Sequence, residues 1–360
     1  MYWWWNRCID IMRRIFEILI ILFALIGLVF TGVFVAMQFG LLNVRGTISE
    51  RNNSILGAGK ITRDKNKEAS FESRAVLLCK IHTLANYAPQ TAQAINQVLE
   101  QQQNSELAVQ MISVAGLRFS STPFPREIQN CARVTIPDTT PLAQTAYVWA
   151  DSPEWAVMKS AFIRDQEYIN KAAKDAGISP RMLLGGVIGE QFRFFTNSRD
   201  SFKSYFEPLK ILASLSKFSF GIAGLKPETV KRIDEQLQNP SSVFYLGKEM
   251  ENVVTYPIDS DHDAIRFERI TDTKNTYYSY LYTGLFMRMV IAQWERAGHD
   301  ISNRPEVLST LYNLGFNRSI PKENPSAGGA PITINGQEFS FGQLGYEFYY
   351  SGELLNEFPY

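Results

Sequence analysis

The longest apolar stretch of the chain lies near its N-terminus, where residues 18–39 carry no charge. About 20 apolar residues are needed to span a bilayer, and no small-residue cleavage site follows the stretch. The pattern therefore predicts an uncleaved signal anchor. Trp, Tyr and Arg in residues 1–17 are typical of the cytoplasmic membrane interface. We expect residues 1–17 in the cytoplasm, residues 18–39 across the membrane and the rest of the chain beyond it.

After the anchor, polar residues alternate with helical patterns. Residues 40–68 are polar and predict a linker. In residues 69–115 apolar positions recur about every 3.6 residues, which predicts two or three helices. An irregular segment with four prolines then extends to about residue 141. Residues 69–140 are therefore predicted to be a small helical domain or extension.

From residue 152 onward the helical pattern becomes denser. One helix is predicted over residues 153–176, with Pro153 near its start and Gly177 after its end. Further helices are predicted in SPRMLLGGVIGEQFRFFT, KPETVKRIDEQL, YSYLYTGLFMRMVIAQWERAG, NRPEVLSTLYNLG and LGYEFYYSGEL. Residues 255–275 are polar and predict a loop, whereas ITINGQEFSF predicts a β-hairpin. The expected fold class is all-α and mainly helical, with one N-terminal transmembrane helix and one small hairpin.

Composition excludes some classes of function. Lys plus Arg and Asp plus Glu both number 36, so no positive excess indicates a nucleic-acid partner. The three cysteines and three histidines have no metal-ligand spacing, and we expect neither a metal nor a cofactor. Cys79 and Cys131 lie beyond the predicted anchor. They would form a disulfide in an oxidising compartment, and two buried thiols are an equal alternative.

The stretch Ser179–Asn197 places a carboxylate where packing would favour an apolar side chain. Its first residues, a serine followed by a proline, are typical of a helix start. At helical spacing Leu183, Val187, Glu190 and Phe194 share one stripe. Glu190 is therefore the candidate catalytic residue of this helix.

Three glycines surround this position: Gly185, Gly186 and Gly189. Each costs a helix interior roughly 1 kcal/mol relative to alanine, which the close approach of another backbone or a ligand would offset. A poorly solvated carboxyl has a raised pKa, as a general acid near neutral pH requires. The alternative is a structural Glu190 paired with an arginine such as Arg193 or Arg199.

Four segments follow one another in an order that matches a known pattern. They are GVIGEQF, GIAGLKPETV at 221–230, NPSSVFYLG at 239–247 and LSTLYNLG at 308–315. Together they resemble the lysozyme-like lytic transglycosylases of bacteria, of the soluble-lytic-transglycosylase and goose-type-lysozyme superfamily. The resemblance covers about residues 152–318. Gly224 stands where that family usually has Gln, and Gln191 where Ser is commonest.

The resemblance implies a function and a site. Glu190 would act first as general acid and then as general base, cleaving the β-1,4 bond between N-acetylmuramic acid and N-acetylglucosamine. The sugar's own 6-hydroxyl would attack and leave a 1,6-anhydro end, so a single carboxylate suffices. Substrate-binding residues would be Gly221, Ile222, Tyr312 and Asn313, with no metal.

The predicted organisation is then a lysozyme-like domain over residues 141–318 and a C-terminal extension over residues 319–360 packed on it. The protein would be a single-pass inner-membrane protein whose periplasmic domain acts on peptidoglycan glycan strands. One alternative is a hydrolytic muramidase with Asp200 or Glu207 as second carboxylate. Another is a non-catalytic lysozyme-fold module that binds glycan or docks in an envelope protein complex. A purely helical membrane scaffold is the third.

Overall fold

The computed structural model describes residues 74–131, 145–196 and 223–360, all within one compact unit. The expected helical fold is confirmed, since these residues form twelve α-helices and one two-stranded sheet. In chain order the helices are α1 (Arg74–Ala85), α2 (Pro89–Gln101), α3 (Ser105–Leu117), α4 (Phe124–Asn130), α5 (Pro153–Arg164), α6 (Gln166–Ala176), α7 (Pro180–Thr196), α8 (Pro227–Leu237), α9 (His262–Thr271), α10 (Tyr277–Arg296), α11 (Pro305–Leu314) and α12 (Phe341–Ser351). The strands are β1 (Pro331–Ile334) and β2 (Gln337–Ser340).

Helix boundaries follow the residues that the sequence marks as starts and stops. At the start of α7 the hydroxyl of Ser179 accepts a hydrogen bond of 3.1 Å from the backbone N–H of Met182. Gly177 and Gly315 follow α6 and α11 with φ of 70° and 82°, a region that favours glycine. The predicted ends of these helices are therefore confirmed.

The loop expected over residues 255–275 is wrong, because that segment contains α9. The carboxylate of Asp261 caps the helix by accepting hydrogen bonds from the backbone N–H groups of Asp263 (3.0 Å) and Ala264 (3.1 Å). Ile270 is buried near its end. A polar helix with one buried side has too few apolar positions to reveal itself by periodicity.

Two other local expectations also need correction. The single helix predicted over residues 153–176 is two helices, α5 and α6, divided at Asp165. The buried carboxylate of Asp165 accepts hydrogen bonds from the hydroxyls of Thr276 (3.1 Å) and Tyr280 (3.3 Å), both near the start of α10. The proline-rich segment expected to be irregular contains α4, since proline is tolerated in a helix's first turn.

A disulfide joins α1 to the end of α4. Cys79 and Cys131 are bonded with their Cα atoms 5.5 Å apart, across a sequence separation of 52. Both residues are buried. Of the two states that the sequence left open, the structure has the disulfide.

Helix α7 is the centre of the fold. Residues 181–190 are all buried, and the helix packs against α5, α6, α10, α11, α12 and β1. A helix enclosed on every side has no single apolar stripe. The stripe of four buried positions predicted for α7 is therefore too narrow. It is also wrong at Phe194, which is 53% exposed near the end of the helix.

The glycines of α7 admit close neighbours, as expected from the sequence. A methyl group built on Gly185 would lie 3.7 Å from the carbonyl oxygen of Gly345 in α12. One built on Gly189 would lie 2.7 Å from Cε1 of Phe341, also in α12. At Gly189 helices α7 and α12 thus approach more closely than a larger side chain would allow, whereas at Gly185 an added methyl group would be at ordinary contact distance.

A fully buried arginine fixes the C-terminal segment to α7. The guanidinium of Arg181 donates hydrogen bonds to the backbone carbonyls of Phe348 (3.0 Å), Tyr349 (2.7 Å), Glu353 (2.9 Å) and Phe358 (3.2 Å). Carbonyls at a helix C-terminus lack partners within the helix and carry partial negative charge. Arg181 therefore caps α12 and holds the residues that follow it.

A second buried charge connects α12 to the N-terminal helices. The carboxylate of Glu347 accepts hydrogen bonds from Arg118 (2.6 Å), from the indole N–H of Trp149 (3.0 Å) and from Gln343 (2.9 Å). Helix α12, which lies in the predicted C-terminal extension, thus packs against both α3 and α7. The boundary predicted near residue 141 falls outside the described residues and stays a prediction.

The hairpin near the C-terminus is confirmed. β1 pairs antiparallel with β2, with Pro331 opposite Ser340 and Ile334 opposite Gln337. Asn335 and Gly336 connect them with φ of 48° and 77°, as a two-residue hairpin turn requires.

The predicted anchor and linker, residues 18–39 and 40–68, also lie outside the described residues. None of the helices in the described ranges has both the length and the apolar character to cross a membrane.

Candidate active site

The candidate acid, Glu190, lies near the C-terminal end of α7 and is 8% exposed. Nη2 of Arg193, one helical turn later, donates to Oε2 of Glu190 and forms an ion pair with it. The side chain of Arg193 is 20% exposed and that of Glu190 is 7% exposed, so the arginine is the outer partner. This pairing is the one that the structural alternative predicts. Arg199, the other arginine considered, lies outside the described residues.

The glycine-rich turn lies directly against this carboxyl group. A methyl group built on Gly224 would be 2.5 Å from Oε2 of Glu190 and 2.8 Å from its Cδ. Gly224 has a φ of 62°, which other residues adopt only with strain. A larger side chain therefore has no room at this position. The predicted substrate-binding residues Gly221 and Ile222 lie outside the described residues.

Tyr312 lies against Gly186 of α7, one helical turn before Glu190. Its ring packs on α7, where a methyl group on Gly186 would be 3.4 Å from the tyrosine Cγ. Its hydroxyl donates to the carbonyl of Ala223 (2.6 Å) and lies 3.1 Å from the hydroxyl of Thr283. Burial raises the pKa of Tyr312 well above 10, and the charge of Glu190 adds to the rise. The hydroxyl therefore stays protonated and holds the glycine-rich turn in place.

Asn313, the neighbour of Tyr312, contacts the segment before β1 and not the glycine-rich turn. It is half-buried, and its amide oxygen accepts a hydrogen bond of 2.9 Å from the backbone N–H of Ala330. This contact fixes the segment that leads into β1. Asn313 therefore has a structural contact here, and its predicted role in substrate binding stays a prediction.

A row of aromatic rings connects the third motif segment to the site. Phe244, within residues 239–247, packs on Phe316 with ring centroids 4.8 Å apart. Phe316 packs on Phe286 at 4.4 Å, and Phe286 meets the ring of Tyr312 edge-on at 5.4 Å. Three ring contacts thus connect the third segment of the resemblance to Tyr312.

Two effects act on the Glu190 carboxyl in opposite directions. Burial favours the neutral acid, whereas an adjacent guanidinium favours the carboxylate. The contact with Nη2 of Arg193 is of the kind that a carboxylate makes. Acting as an acid would require Glu190 to carry a proton.

The described residues offer neither of the carboxylates considered as a second catalytic group nor a metal site. Asp200 and Glu207, the residues considered as a second carboxylate, lie outside the described residues. Within the three described ranges, no three His, Cys, Asp or Glu side chains are grouped so that they could hold a metal ion.

The two hydrogen-bond partners of Tyr312 were not predicted from the sequence. Thr283 is a hydroxyl residue in the buried, mostly apolar stretch of α10, a local signal that points to a buried hydrogen bond. The carbonyl of Ala223 has no such signal, because backbone groups look alike in every sequence.

Comparison with protein-family models, curated proteins and solved structures finds no match to this chain. A proposal for the function therefore depends on the residues packed around Glu190.

Proposed function

We propose that the chain is a peptidoglycan lytic transglycosylase with a lysozyme-like domain, in which Glu190 is the catalytic acid and base. The observation that supports this most strongly is the contact of the buried Glu190 carboxyl with Gly224, which brings the first two of the four segments together. Glu190 lies against Gly224, and Tyr312 holds the residue before that glycine. The third segment reaches Tyr312 through the phenylalanine rings.

The reaction needs one carboxyl group in two protonation states. Protonated Glu190 gives its proton to the glycosidic oxygen as the bond to the anomeric carbon breaks, through an oxocarbenium-like transition state. The resulting carboxylate removes the proton from the sugar's 6-hydroxyl, whose oxygen bonds to the anomeric carbon. The products are a 1,6-anhydro end and a free hydroxyl on the leaving sugar. Because the nucleophile belongs to the substrate, proximity replaces a second carboxylate.

The proposed location is the periplasmic side of the bacterial inner membrane, with residues 18–39 as the anchor. The disulfide between Cys79 and Cys131 supports an oxidising compartment, since disulfides persist there and are rare in the cytosol.

A non-catalytic envelope component is the second candidate, and one observation favours it. The ion pair between Glu190 and Arg193 satisfies the carboxylate without any substrate. A permanently paired carboxylate would stabilise the helix end and leave the domain to bind glycan or to dock in an envelope complex.

Digestion of purified peptidoglycan sacculi distinguishes the two candidates. We expect the wild-type chain to release muropeptides with anhydro ends and Glu190→Gln to release none, because the amide has the same shape but cannot transfer the proton. A matched control is Glu100→Gln, which removes a carboxylate from an exposed ion pair with Arg74 (2.5 Å). It should digest sacculi at the wild-type rate.

Equal release by Glu190→Gln and wild type would reject the catalytic assignment. Reducing sugar ends in place of anhydro ends would support the muramidase alternative.

A further inference from the structure

The hydroxyl of Tyr312 belongs to a row of buried hydrogen bonds that joins α10 to the glycine-rich turn. It lies 2.6 Å from the carbonyl oxygen of Ala223, on the turn, and 3.1 Å from the hydroxyl of Thr283, on α10. Thr283 and Ala223 are fully buried, and Tyr312 is 9% exposed. An unpaired polar group is costly in such a setting, so the placement of each hydroxyl proton matters.

Each hydroxyl has a single proton, which decides the direction of the row. The hydroxyl of Thr283 also lies 2.9 Å from the carbonyl oxygen of Ser279, but within α10 that carbonyl already accepts the backbone N–H of Thr283. When Thr283 donates to Tyr312 and Tyr312 donates to Ala223, both remaining contacts have a proton. Any other assignment leaves either the contact with Ala223 or the contact between the two hydroxyls without one.

Packing fixes the ring of Tyr312, so only the direction of its O–H bond is left to set. A methyl group built on Gly186 would lie 3.4 Å from the tyrosine Cγ, and Phe286 meets the ring edge-on with centroids 5.4 Å apart. Burial raises the pKa of Tyr312, whereas the hydrogen bond with Thr283 lowers it, as a donor to the phenol oxygen does. The contacts therefore agree with a threonine that donates.

We propose that Thr283 is a positioning residue of the candidate site. By donating to Tyr312 it directs the tyrosine proton to Ala223 and so holds the glycine-rich turn in place. Gly224, the next residue of the turn, then stays against Glu190, since a methyl group built on it would lie 2.5 Å from Oε2. The inference rests on the proposed function for its effect on the reaction, because Thr283 acts through Tyr312 and the turn.

Hydrogen exchange tests the hold on the turn without relying on catalysis. Ala223 and Leu225 are buried, so the backbone amides of residues 223–225 exchange when the turn opens. Thr283→Val keeps the shape of the side chain but removes the donor, and should speed their exchange about fivefold. Thr283→Ser keeps the donor and should leave their exchange close to that of wild type. Amides of α2 are the internal reference and should not change.

The rate at which anhydro ends are released from sacculi tests the effect on the reaction. Thr283→Val should release them about fivefold more slowly than wild type, and Thr283→Ser at close to the wild-type rate. A merely structural role predicts the larger loss for Thr283→Ser, because serine lacks a buried methyl group and leaves a small cavity. Urea unfolding of both variants shows which of them is less stable.

Further variants serve as controls. Thr271→Val on α9 removes a hydroxyl that likewise bonds the carbonyl four residues before it, that of Phe267 (2.7 Å), and should release anhydro ends at the wild-type rate. In a Tyr312→Phe background no hydroxyl is left to direct, so adding Thr283→Val should change neither exchange nor rate further. Where Thr283→Val does not fold, Thr283→Ala and Thr283→Ser make the same comparison, since they differ by the hydroxyl alone.

The proposal is overturned if Thr283→Val leaves the exchange of the turn amides unchanged, or if Thr283→Ser speeds it as much as Thr283→Val does. Faster exchange with an unchanged rate of release also overturns it, because the turn would then be held without effect on the reaction. A wild-type chain that releases no anhydro ends rejects the proposed function, and hydrogen exchange then decides by itself whether Thr283 positions the turn.

Discussion

Substituting Gly224 with alanine probes the contact on which the candidate site depends. The added methyl group would lie 2.5 Å from Oε2, 2.8 Å from Cδ and 3.0 Å from Cγ of Glu190. Gly224 also has a φ of 62°, and the left-handed conformation costs other residues about 1–2 kcal/mol. Forcing a methyl group into a packed site adds about 1–3 kcal/mol. We therefore expect Gly224→Ala to lower the free energy of unfolding by about 2–5 kcal/mol.

A second glycine separates the cost of the backbone conformation from the cost of the added methyl group. Gly177 has a similar φ of 70°, but a methyl group built there meets no atom within 4 Å. Gly177→Ala should therefore lose only the backbone contribution of about 1–2 kcal/mol. Urea unfolding of the purified full chain measures both, provided that the slope with denaturant is unchanged.

A double-mutant cycle completes the test. Glu190→Ala removes the three atoms that the new methyl group meets, so adding it to Gly224→Ala should recover about 1–3 kcal/mol of the loss. Equal losses for Gly224→Ala and Gly177→Ala, with no recovery in the double mutant, would show that the glycine-rich turn does not touch Glu190.

Two predictions concern the surrounding core. Gly185→Ala should raise the free energy of unfolding by up to about 1 kcal/mol, because its nearest neighbour would be at ordinary contact distance; Gly189→Ala should lower it by about 1–3 kcal/mol, because its methyl group meets Phe341. Urea unfolding that reverses this order would contradict the packing of α7. Burial raises the pKa of Tyr280 and Tyr312 well above 10, their value in the unfolded chain. Below about pH 10 both tyrosines are neutral in the folded and the unfolded chain, and the free energy of unfolding keeps their full contribution. Above pH 10 the free energy of unfolding falls by about 1.4 kcal/mol per pH unit for each tyrosine, because only the unfolded chain loses the proton. Thermal unfolding across this range checks the expectation, and an unchanged melting temperature would refute it.

Local rules explain which parts of the fold were predictable. The start of α7 at Ser179 and the end of α11 at Gly315 depend on capping geometry that a few neighbouring residues determine. The hairpin turn at Asn335 and Gly336 is equally local. Helix α9 had a local signal too, the Asp261 cap, but its polar composition concealed the helix.

Long-range contacts explain the rest. The sequence placed Glu190 in an apolar helix, and the resemblance paired it with Tyr312. The ion pair of Glu190 with Arg193 joins neighbours on one helix, and the sequence already named Arg193 as a possible partner. The contact of Glu190 with Gly224 joins residues 34 positions apart, and nothing local reveals it. The capping of α12 by Arg181 joins residues about 170 positions apart, so only the folded chain reveals it.

The mass of the sugar end that the wild-type chain releases from purified sacculi tests the central claim most directly. Transfer to the substrate's own hydroxyl predicts muramic acid ends that are one water lighter than ordinary reducing ends, and their complete absence with Glu190→Gln. Release of ordinary reducing ends, or no release by the folded wild-type chain, would contradict a transglycosylase that works through one carboxyl group.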